Sequence, residues 1–518
     1  MSRWLPAVVL GAVVLTYAAS LSGGYVWDDH FLLGANPALQ APWRLVSEDV
    51  WGPSGSPGDL YRPLTMLLHW PIQALWAGPA LERAVSLGLH LLAVWAVAGL
   101  GRRLGAGAEA AWLVAAAFGL HPLSSEAVAW ISGRHDLLPA TLVLGATLAW
   151  RGGRLGLAAG LLGLTPLCKE PFLLAPAVAV LWCVADRRVL PRPLLGSIAG
   201  VVLVLGLRHV FELPLPAGAA ATEPLGSVGA VASRGLVLLV WPSAPDVQSL
   251  YSAAPVLGGV AVLLGLALAL ASWGRPWVAV LLSGLVLLAP TAPASAQLGL
   301  VADRYFYLPV ALLMASLAPW ADRWLTRHRA ARLLWLLPAL LATFTAPRAA
   351  AWSSDSVIFT ESLARDPDNE RAAFHVAYDL HVRQRDCASA VPLYERARAV
   401  EARAGTNLQS CLLDLGRLEE AAALGPEVVQ AQPGNPNPAA NTARALAGLG
   451  RPAEALVYAE LATERAPERA SAWILVGNLR GMTGDLEGAR SAFEAALALE
   501  PGSPEALAGL AAVEARSP

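Results

Sequence analysis

A series of long apolar segments in the first 350 residues most constrains how this chain folds. The chain has 518 residues, of which 56% are hydrophobic and only 15% are charged, and this composition is unlike that of soluble globular proteins. Residues 353–518 differ, because they are rich in Arg, Glu and Ala. The sequence therefore predicts an all-α protein with a membrane domain, residues 1–350, and a soluble domain, residues 351–518.

Eleven apolar segments are predicted to cross the membrane, although several are shorter than the usual length of about 20 residues. They are residues 4–21, 84–100, 108–120, 137–150, 155–167, 172–185, 194–207, 256–272, 277–290, 305–320 and 333–344. The segment at 63–76 is predicted to lie along the interface, and 228–241 to be re-entrant or interfacial. If residues 228–241 also crossed the membrane, the chain would have twelve spans, and one Arg-bearing loop would lie on the extracytoplasmic side. Placing the Arg-bearing loops in the cytoplasm favours eleven and puts residues 353–518 outside.

Polar residues of four loops meet at the outer membrane face in this topology. They are Asp28, Asp29 and Arg62, then His121, Glu126, Arg134, His135 and Asp136, then Lys169 and Glu170, and finally Asp303, Arg304 and Tyr305. Each group alone has a structural explanation, such as a solvated turn, a snorkelling Arg or a local ion pair. Ionisable groups from several loops at one membrane edge instead favour a functional site.

The soluble part shows an internal period of 34 residues. Ala421, Ala455 and Ala489 recur at this spacing, as do Pro433, Pro467 and Pro501. Small and large residues at these offsets allow two antiparallel helices to pack as a tetratricopeptide repeat. The sequence therefore predicts an α-solenoid that binds a peptide or protein and carries no chemistry itself.

Cysteines and charge add smaller constraints. Cys387 and Cys411 lack metal-type spacing, so they form a bridge outside the cytoplasm or remain free thiols.

The net charge is −2 and no basic cluster of the nucleic-acid-binding type occurs, which excludes a nucleic-acid partner. Abundant Ala, Gly, Leu, Arg and Pro indicate a GC-rich bacterial genome, and hence a multi-pass protein of the bacterial inner membrane with periplasmic repeats.

Several short motifs give the chain a specific resemblance. It resembles the transmembrane and tetratricopeptide-repeat O-mannosyltransferases and their bacterial relatives, which belong to the type C glycosyltransferase superfamily. The matching strings are 27–29, 61–65, 121–136, 169–170 and 303–309. The chain departs from the family in two places, since Asp303 stands where Glu is frequent and Pro171 stands where Gly is frequent.

The resemblance implies an inverting integral membrane glycosyltransferase. It would move mannose or another hexose from a polyprenyl-phosphate donor to a hydroxyl of a protein or envelope acceptor on the extracytoplasmic face, with the repeats binding the acceptor or a partner. The catalytic base is expected to be Asp29, with Asp28 as its partner or as a contact for a divalent metal; no other cofactor is implied. The donor phosphate is assigned to Arg304, Lys169, Arg134 and Tyr305, and supporting roles to Arg62, His121, Glu126, Asp136 and Glu170.

Two other classes of function fit the same sequence. A non-catalytic membrane scaffold would use the repeats to assemble an envelope complex. A lipid-linked glycan polymerase, ligase or flippase would share the polar outer face but would act on long glycans carried by pyrophosphate lipids.

Overall fold

The computed structural model describes residues 3–34, 36–50, 60–75, 78–187, 191–213, 224–240, 249–250, 272, 275–292, 295 and 300–516. Two compact units make up the chain, Met1–Glu361 and Ser362–Pro518. Both are helical, as the sequence predicts. The boundary falls inside a helix that begins at Asp355 and ends at Arg365.

The first unit contains helices that range from 4 to 25 residues in length. They are α1 (Leu5–Tyr17), α2 (Arg44–Ser47), α3 (Pro63–Leu75), α4 (Pro79–Arg103), α5 (Ala108–Gly119), α6 (Ser125–Ala129), α7 (Arg134–Arg151), α8 (Leu155–Leu164), α9 (Ala175–Asp186), α10 (Pro191–Val210), α11 (Pro224–Val240), α12 (Pro276–Leu288), α13 (Tyr307–Arg327), α14 (Leu336–Ala351) and α15 (Asp355–Arg365). Proline occupies a first-turn position in several of them, where its missing N–H breaks no helical hydrogen bond.

Four described helical stretches have the length and apolar composition needed to cross a membrane. They are Leu5–Ser22, Pro79–Arg103, Pro191–Val210 and Arg329–Ala351. Shorter apolar helices lie at Ala108–Gly119, Leu155–Leu167, Val228–Val237 and Trp277–Leu288. The chain is thus a membrane protein, and the number of eleven spans stays a prediction. The predicted span at 256–272 lies outside the described residues, apart from residue 272.

The helices of the first unit pack closely where the facing residues are small. Helix α4 packs against α5, α7 and α13, and α8 packs against α10. A Cβ atom on Gly200 would lie 1.9 Å from the carbonyl oxygen of Gly163, so only glycine allows the backbones of α8 and α10 to approach this closely. Such small-residue contacts drive helix association within membranes.

Short irregular turns interrupt these helices and carry most of the predicted motifs. The 3₁₀ turns are Ala18–Ser22, Pro37–Gln40, Pro122–Ser124, Thr165–Leu167, Glu170–Leu174, Asp303–Phe306 and Arg329–Trp335, and a π turn spans His30–Gly34. Strands β1 (Ser249–Leu250) and β2 (Leu300–Val301) form a two-residue antiparallel pair, with Ser249 opposite Val301. Backbone polar groups in such turns lack regular helical partners and need others. The Arg304 N–H, for example, donates to the Glu126 carboxylate.

The second unit is a solenoid of paired helices. It contains α16 (Glu370–Tyr378), a π turn (Asp379–Arg383), α17 (Cys387–Ala397), α18 (Ala402–Asp414), α19 (Leu418–Ala423), α20 (Gly425–Ala431), α21 (Pro436–Gly448), α22 (Pro452–Arg465), α23 (Ala470–Thr483), α24 (Leu486–Leu499) and α25 (Pro504–Glu514). The periodic alanines Ala421, Ala455 and Ala489 are completely buried. Gly477 allows the ring of Phe493 to pack against its backbone. The predicted packing positions therefore form the core.

One unit of the solenoid departs from the regular pattern. Its second helix is divided into α19 and α20 at Leu424. A Cβ atom on Gly425 would lie 2.4 Å from a side-chain carbon of Thr442, so the helices cross closely at this point. A disulfide joins Cys387, in α17 of the preceding pair of helices, to Cys411, in α18 of this unit. This answers the choice between bridge and free thiols that the sequence left open.

Candidate active site

The first acidic loop places its two aspartates in different environments. Asp29 is completely buried, and one of its oxygens accepts a hydrogen bond from the Val26 N–H at 3.1 Å. The other oxygen accepts from the Ser132 N–H at 2.9 Å and from the Ser132 hydroxyl. Burial raises the pKa of Asp29 to about 6, against these hydrogen bonds. Asp29 thus fastens its loop to the segment before α7.

Asp28 is half-buried and less constrained. Its carboxylate accepts no hydrogen bond from the part of the chain that the structure describes. Burial raises the pKa of Asp28 to about 6, while the charges of Arg304 and Arg62 oppose the rise. A carboxylate with this pKa, whose lone pairs accept no hydrogen bond from any described residue, has the protonation behaviour that a general base needs.

Arg304 is held rigidly beside this loop. Its backbone N–H donates to Glu126 Oε2 at 2.9 Å, and its guanidinium donates to the same carboxylate. Nε lies 3.5 Å from Asp136 Oδ2. The guanidinium also lies 5.1 Å from the ring centres of both Trp130 and Tyr305. Contacts on several sides fix the direction in which this cation points.

Lys169 shares a carboxylate with Arg304. Its Nζ lies 2.6 Å from both oxygens of Asp136 and 5.2 Å from the ring centre of Tyr305. Burial lowers the pKa of Lys169 to about 8, and the nearby cations add to this effect while Asp136 opposes it. Lys169 is therefore largely protonated at neutral pH.

Arg62 completes the group through Glu170. Its Nη2 lies 2.8 Å and its Nε 3.1 Å from Glu170 Oε2. The loops predicted to converge do converge here. We call their shared group the polar cluster, consisting of Asp28, Arg62, Glu126, Asp136, Lys169, Glu170, Arg304 and Tyr305.

Arg134 lies in a separate buried network. Its Nη1 donates to Glu82 Oε2 at 2.6 Å, and both side chains are completely buried. His69 and Ser86 also lie within hydrogen-bond distance of the guanidinium. This network joins α3, α4 and α7, so the structure gives Arg134 a position between helices, apart from the cations of the polar cluster.

His121 also has a local structural contact. Its ring Nδ1 accepts a hydrogen bond from the Leu123 N–H at 3.2 Å, which caps the turn that follows α5. Close by, Asp303 forms an ion pair with Arg348 and lies 3.7 Å from Arg234. Asp303 thus anchors the turn that carries Arg304.

His135 lies between the two networks. It is 3% exposed, and neither ring nitrogen has a hydrogen-bond partner among the described residues. The charges of Arg62, Lys169 and Arg134 act on it from nearby. Buried nitrogens of this kind are normally satisfied by water or a ligand.

Sequence reasoning missed three buried charges that hold the site. Glu82, Arg83 and Arg348 each lie at most 2% exposed, and the guanidinium of Arg83 donates to the carbonyl oxygen of Gly24 at 2.6 Å. All three belong to helices whose other residues are mostly apolar. A charged residue in an otherwise apolar segment is the sequence signal that could have identified them, because such a charge requires a partner.

The three adjacent side chains of the acidic loop do not converge on one point. Asp29 faces Ser132, whereas His30 Nε2 lies 2.8 Å from Asp355 Oδ2. Asp29 and His30 are thus held by different partners, and these three side chains do not form one shared set of metal ligands.

A cavity opens beside the polar cluster and continues into apolar surroundings. Its polar end consists of Asp136, Arg304 and Tyr305. Its remaining wall is lined by Pro171, Phe172, Gly284, Leu287, Leu288, Thr291, Tyr307, Leu308 and Pro309. The cavity itself is small, about 20 Å³, which is room for about one water molecule, so it marks where the polar cluster meets an apolar wall.

Known proteins resemble both units of this chain. The tetratricopeptide repeat family model matches residues 375–436 and 441–504. Human protein O-mannosyl-transferase TMTC1 is 32% identical over 153 residues, which are 28% of this chain and 17% of that protein. Drosophila melanogaster Tmtc2 is 34% identical over 193 residues, 32% of this chain and 20% of that protein. The chain thus spans at most about a fifth of these curated relatives' length.

The solenoid also resembles the crystal structure of YrrB, a tetratricopeptide repeat protein. The match covers 33% of this chain and 88% of the YrrB chain, with 20% identity and a TM-score of 0.28. The resemblance inferred from the motifs is confirmed by the sequence relatives and by the repeat match. The chain carries tetratricopeptide repeats, and its relatives are the TMTC protein O-mannosyl-transferases.

Proposed function

We propose that this protein is a membrane glycosyltransferase that moves a hexose, in the first instance mannose, from a polyprenyl-phosphate donor to a protein hydroxyl on the extracytoplasmic face. The observation that carries the proposal is Asp28, a half-buried carboxylate without a protein hydrogen-bond partner among the described residues, beside Arg304 and Arg62. A base next to fixed cations suits transfer away from a phosphate leaving group. The relatives' names supply the sugar and the protein acceptor.

Asp28, rather than Asp29, is proposed as the base. The two pKa values are alike, so hydrogen bonding decides between them. The lone pairs of Asp29 are occupied by Val26 and Ser132, and using that carboxylate as a base would release the loop. Asp29 is assigned the role of holding Asp28 in place. This exchanges the roles expected from the sequence, in which Asp29 was the base.

The bond changes follow from this placement. Asp28 takes the proton of the acceptor hydroxyl, and the oxygen attacks the anomeric carbon of the sugar. The bond between that carbon and the phosphate oxygen breaks, and the polyprenyl phosphate leaves with the electron pair. Attack from the side opposite the phosphate inverts the anomeric configuration.

Arg304 and Lys169 are proposed to stabilise the charge that develops on the leaving phosphate. Glu126 and Asp136 hold them at fixed positions, and preorganised cations need little rearrangement during the reaction. Tyr305 contacts both cations through its ring. Arg134, which is paired with Glu82, is proposed to position α7 so that Asp136 faces Lys169.

The prenyl chain is proposed to run along the apolar residues at this end of the cavity, whose enclosed space of about 20 Å³ must widen to admit it. Phe172, Leu287 and Leu308 line the cavity next to the cationic end. A phosphate at Arg304 would therefore have its hydrocarbon chain in apolar surroundings, consistent with a lipid-linked donor and less so with a water-soluble sugar nucleotide.

The repeats are proposed to lie outside the cytoplasm and to bind the acceptor or a partner protein. The disulfide between Cys387 and Cys411 supports this location, because disulfides persist mainly in oxidising compartments.

The test is a transfer assay with purified full-length protein. Radiolabelled polyprenyl-phosphate mannose and a periplasmic extract should give labelled protein, and a water-soluble sugar nucleotide should not replace the lipid donor. A long-glycan pyrophosphate lipid serves as the competing donor. Transfer from that lipid alone would indicate a polymerase or ligase, and transfer from neither would contradict the proposed enzyme.

A further inference from the structure

Three metal-ligating side chains meet in the solenoid, and a fourth lies beside one of them; all four are remote in sequence from every residue of the polar cluster. One ligand atom each of His381, Cys387 and Cys411 lies within 4.8 Å of the others. Asp414 Oδ2 lies 3.8 Å from Cys387 Sγ. In the structure the two sulfurs form the disulfide, and their Cα atoms are 5.0 Å apart. A disulfide staple requires neither an imidazole nor a carboxylate, so the presence of both calls for another explanation.

Local structure places these groups on one side of three helical segments. His381 belongs to the π turn, Cys387 begins α17, and Cys411 and Asp414 lie three residues apart on one face of α18. The completely buried Tyr394 has its hydroxyl 3.3 Å from His381 Nδ1. A hydrogen bond to one ring nitrogen orients the other toward a cation, as in many protein metal sites.

Solvent reaches this group. A surface cavity is lined by His381, Cys387 and Asp414, together with Arg385, Asp386 and Leu415. A small reductant and a hydrated cation therefore have a path to the sulfur of Cys387, which a proposed metal site requires.

We propose that reduction converts the Cys387–Cys411 disulfide into a site for one zinc-class divalent cation, bound by both thiolates, His381 and Asp414. Two thiolates, one imidazole and one carboxylate form the four-ligand donor set typical of tetrahedral zinc. We call these four residues the thiol site. The cation and the disulfide exclude each other, because a cation needs both sulfurs as separate thiolates.

The reduction balances with a dithiol as co-reactant. The dithiol transfers two electrons, its own sulfurs become a disulfide, and the S–S bond between Cys387 and Cys411 breaks to give two thiols. Binding of the cation then releases both thiol protons to solvent. The bound cation replaces the covalent staple between α17 and α18, so these helices remain joined in both states.

The experiment uses the full-length protein in detergent. Cys168 and Cys183 are first changed to Ser so that the thiol site holds the only cysteines. Protein reduced anaerobically by a dithiol, freed of reductant, mixed with Zn²⁺ and desalted should retain one zinc per chain by elemental analysis, and the disulfide form should retain none. Cobalt(II) in place of zinc should give thiolate-to-metal charge-transfer absorption in the reduced form alone.

Three variants separate the four-ligand site from a simple pair of thiols. His381→Ala and Asp414→Asn should each weaken zinc binding by at least about 10-fold, whereas Arg396→Gln, at an exposed position of α17, should bind as the parent does. Circular dichroism checks that each remains folded. The proposal is overturned if the reduced parent binds zinc no more tightly than a Cys387→Ser/Cys411→Ser variant, or if His381→Ala and Asp414→Asn both keep the parent's affinity.

Discussion

Ion pairs differ between the first unit, Met1–Glu361, which we call the membrane unit, and the solenoid of the second unit. In the membrane unit, Glu82 with Arg134 is a fully buried pair and Glu126 with Arg304 a largely buried one, joining residues 52 and 178 positions apart. In the solenoid, Arg417 with Glu420 and Arg451 with Glu454 are exposed pairs within one helical turn. Buried pairs over long sequence distances fix loops and helices in three dimensions, whereas exposed local pairs add little to stability.

This difference indicates where function resides in each unit. In the membrane unit, the same charges that hold the loops also line a cavity, at Asp136 and Arg304. In the solenoid, the regular ion pairs serve the surface, and the unusual group is the thiol site. Chemistry is thus expected where charges are buried and shared.

The largest expected effect comes from removing the negative charge of Asp28. Asp28→Asn should reduce the rate of sugar transfer by about 100- to 10,000-fold, because loss of a positioned general base has effects of this size. The protein should remain folded, since Asp28 makes no side-chain hydrogen bond among the described residues. Single-turnover rates with saturating lipid donor would measure the change.

Asp368→Asn, an exposed position of the solenoid, is the matched control and should transfer at the parent rate. An Asp28→Asn variant with parental activity would refute the assignment of the base.

A somewhat smaller effect is expected from breaking a buried ion pair. Glu82→Gln leaves the Arg134 guanidinium without its carboxylate in a fully buried position, which should destabilise the membrane unit by about 3–5 kcal/mol. Thermal unfolding in detergent, followed by circular dichroism, would show a lower midpoint for this unit. An unchanged midpoint would mean that water or another residue replaces the pair.

The pH dependence of transfer should report the two perturbed groups of the polar cluster. Asp28 must be ionised, so the rate should fall about tenfold per pH unit below its pKa of about 6. Lys169 must be protonated, so the rate should fall again above its pKa of about 8. A profile of kcat/KM against pH should be bell-shaped between these values.

Lys169→Arg should remove the alkaline limb and keep the acidic one, because arginine stays charged throughout this range. Loss of the acidic limb in that variant would show that a group other than Asp28 sets it.

The smallest effect is predicted for a local surface pair. Glu420→Gln removes the partner of Arg417 on an exposed helix, where water solvates either side chain equally well. The unfolding midpoint of the solenoid should stay within experimental error of the parent. A clear drop would mean that local pairs in this solenoid do more than solvate its surface.

The sequence by itself determined the two helical classes and the set of loops that meet in the polar cluster. Apolar length indicated membrane helices, and the 34-residue period of Ala421, Ala455 and Ala489 indicated the repeats, because both depend on regular local spacing. The grouping of the charges of these loops also followed from the sequence, since short Arg-bearing connections constrain which loops share a face.

Only the tertiary structure decided which partner each polar group has. Val26 and Ser132 donate hydrogen bonds to Asp29, whereas no described residue donates one to Asp28, although the two aspartates are adjacent and chemically identical. Likewise, Arg134 binds Glu82 in a different helix. The thiol site has no motif spacing, because its ligands come from three segments brought together by repeat packing. Spacing along a chain determines contacts within one helix or turn, and pairs between segments depend on how those segments pack.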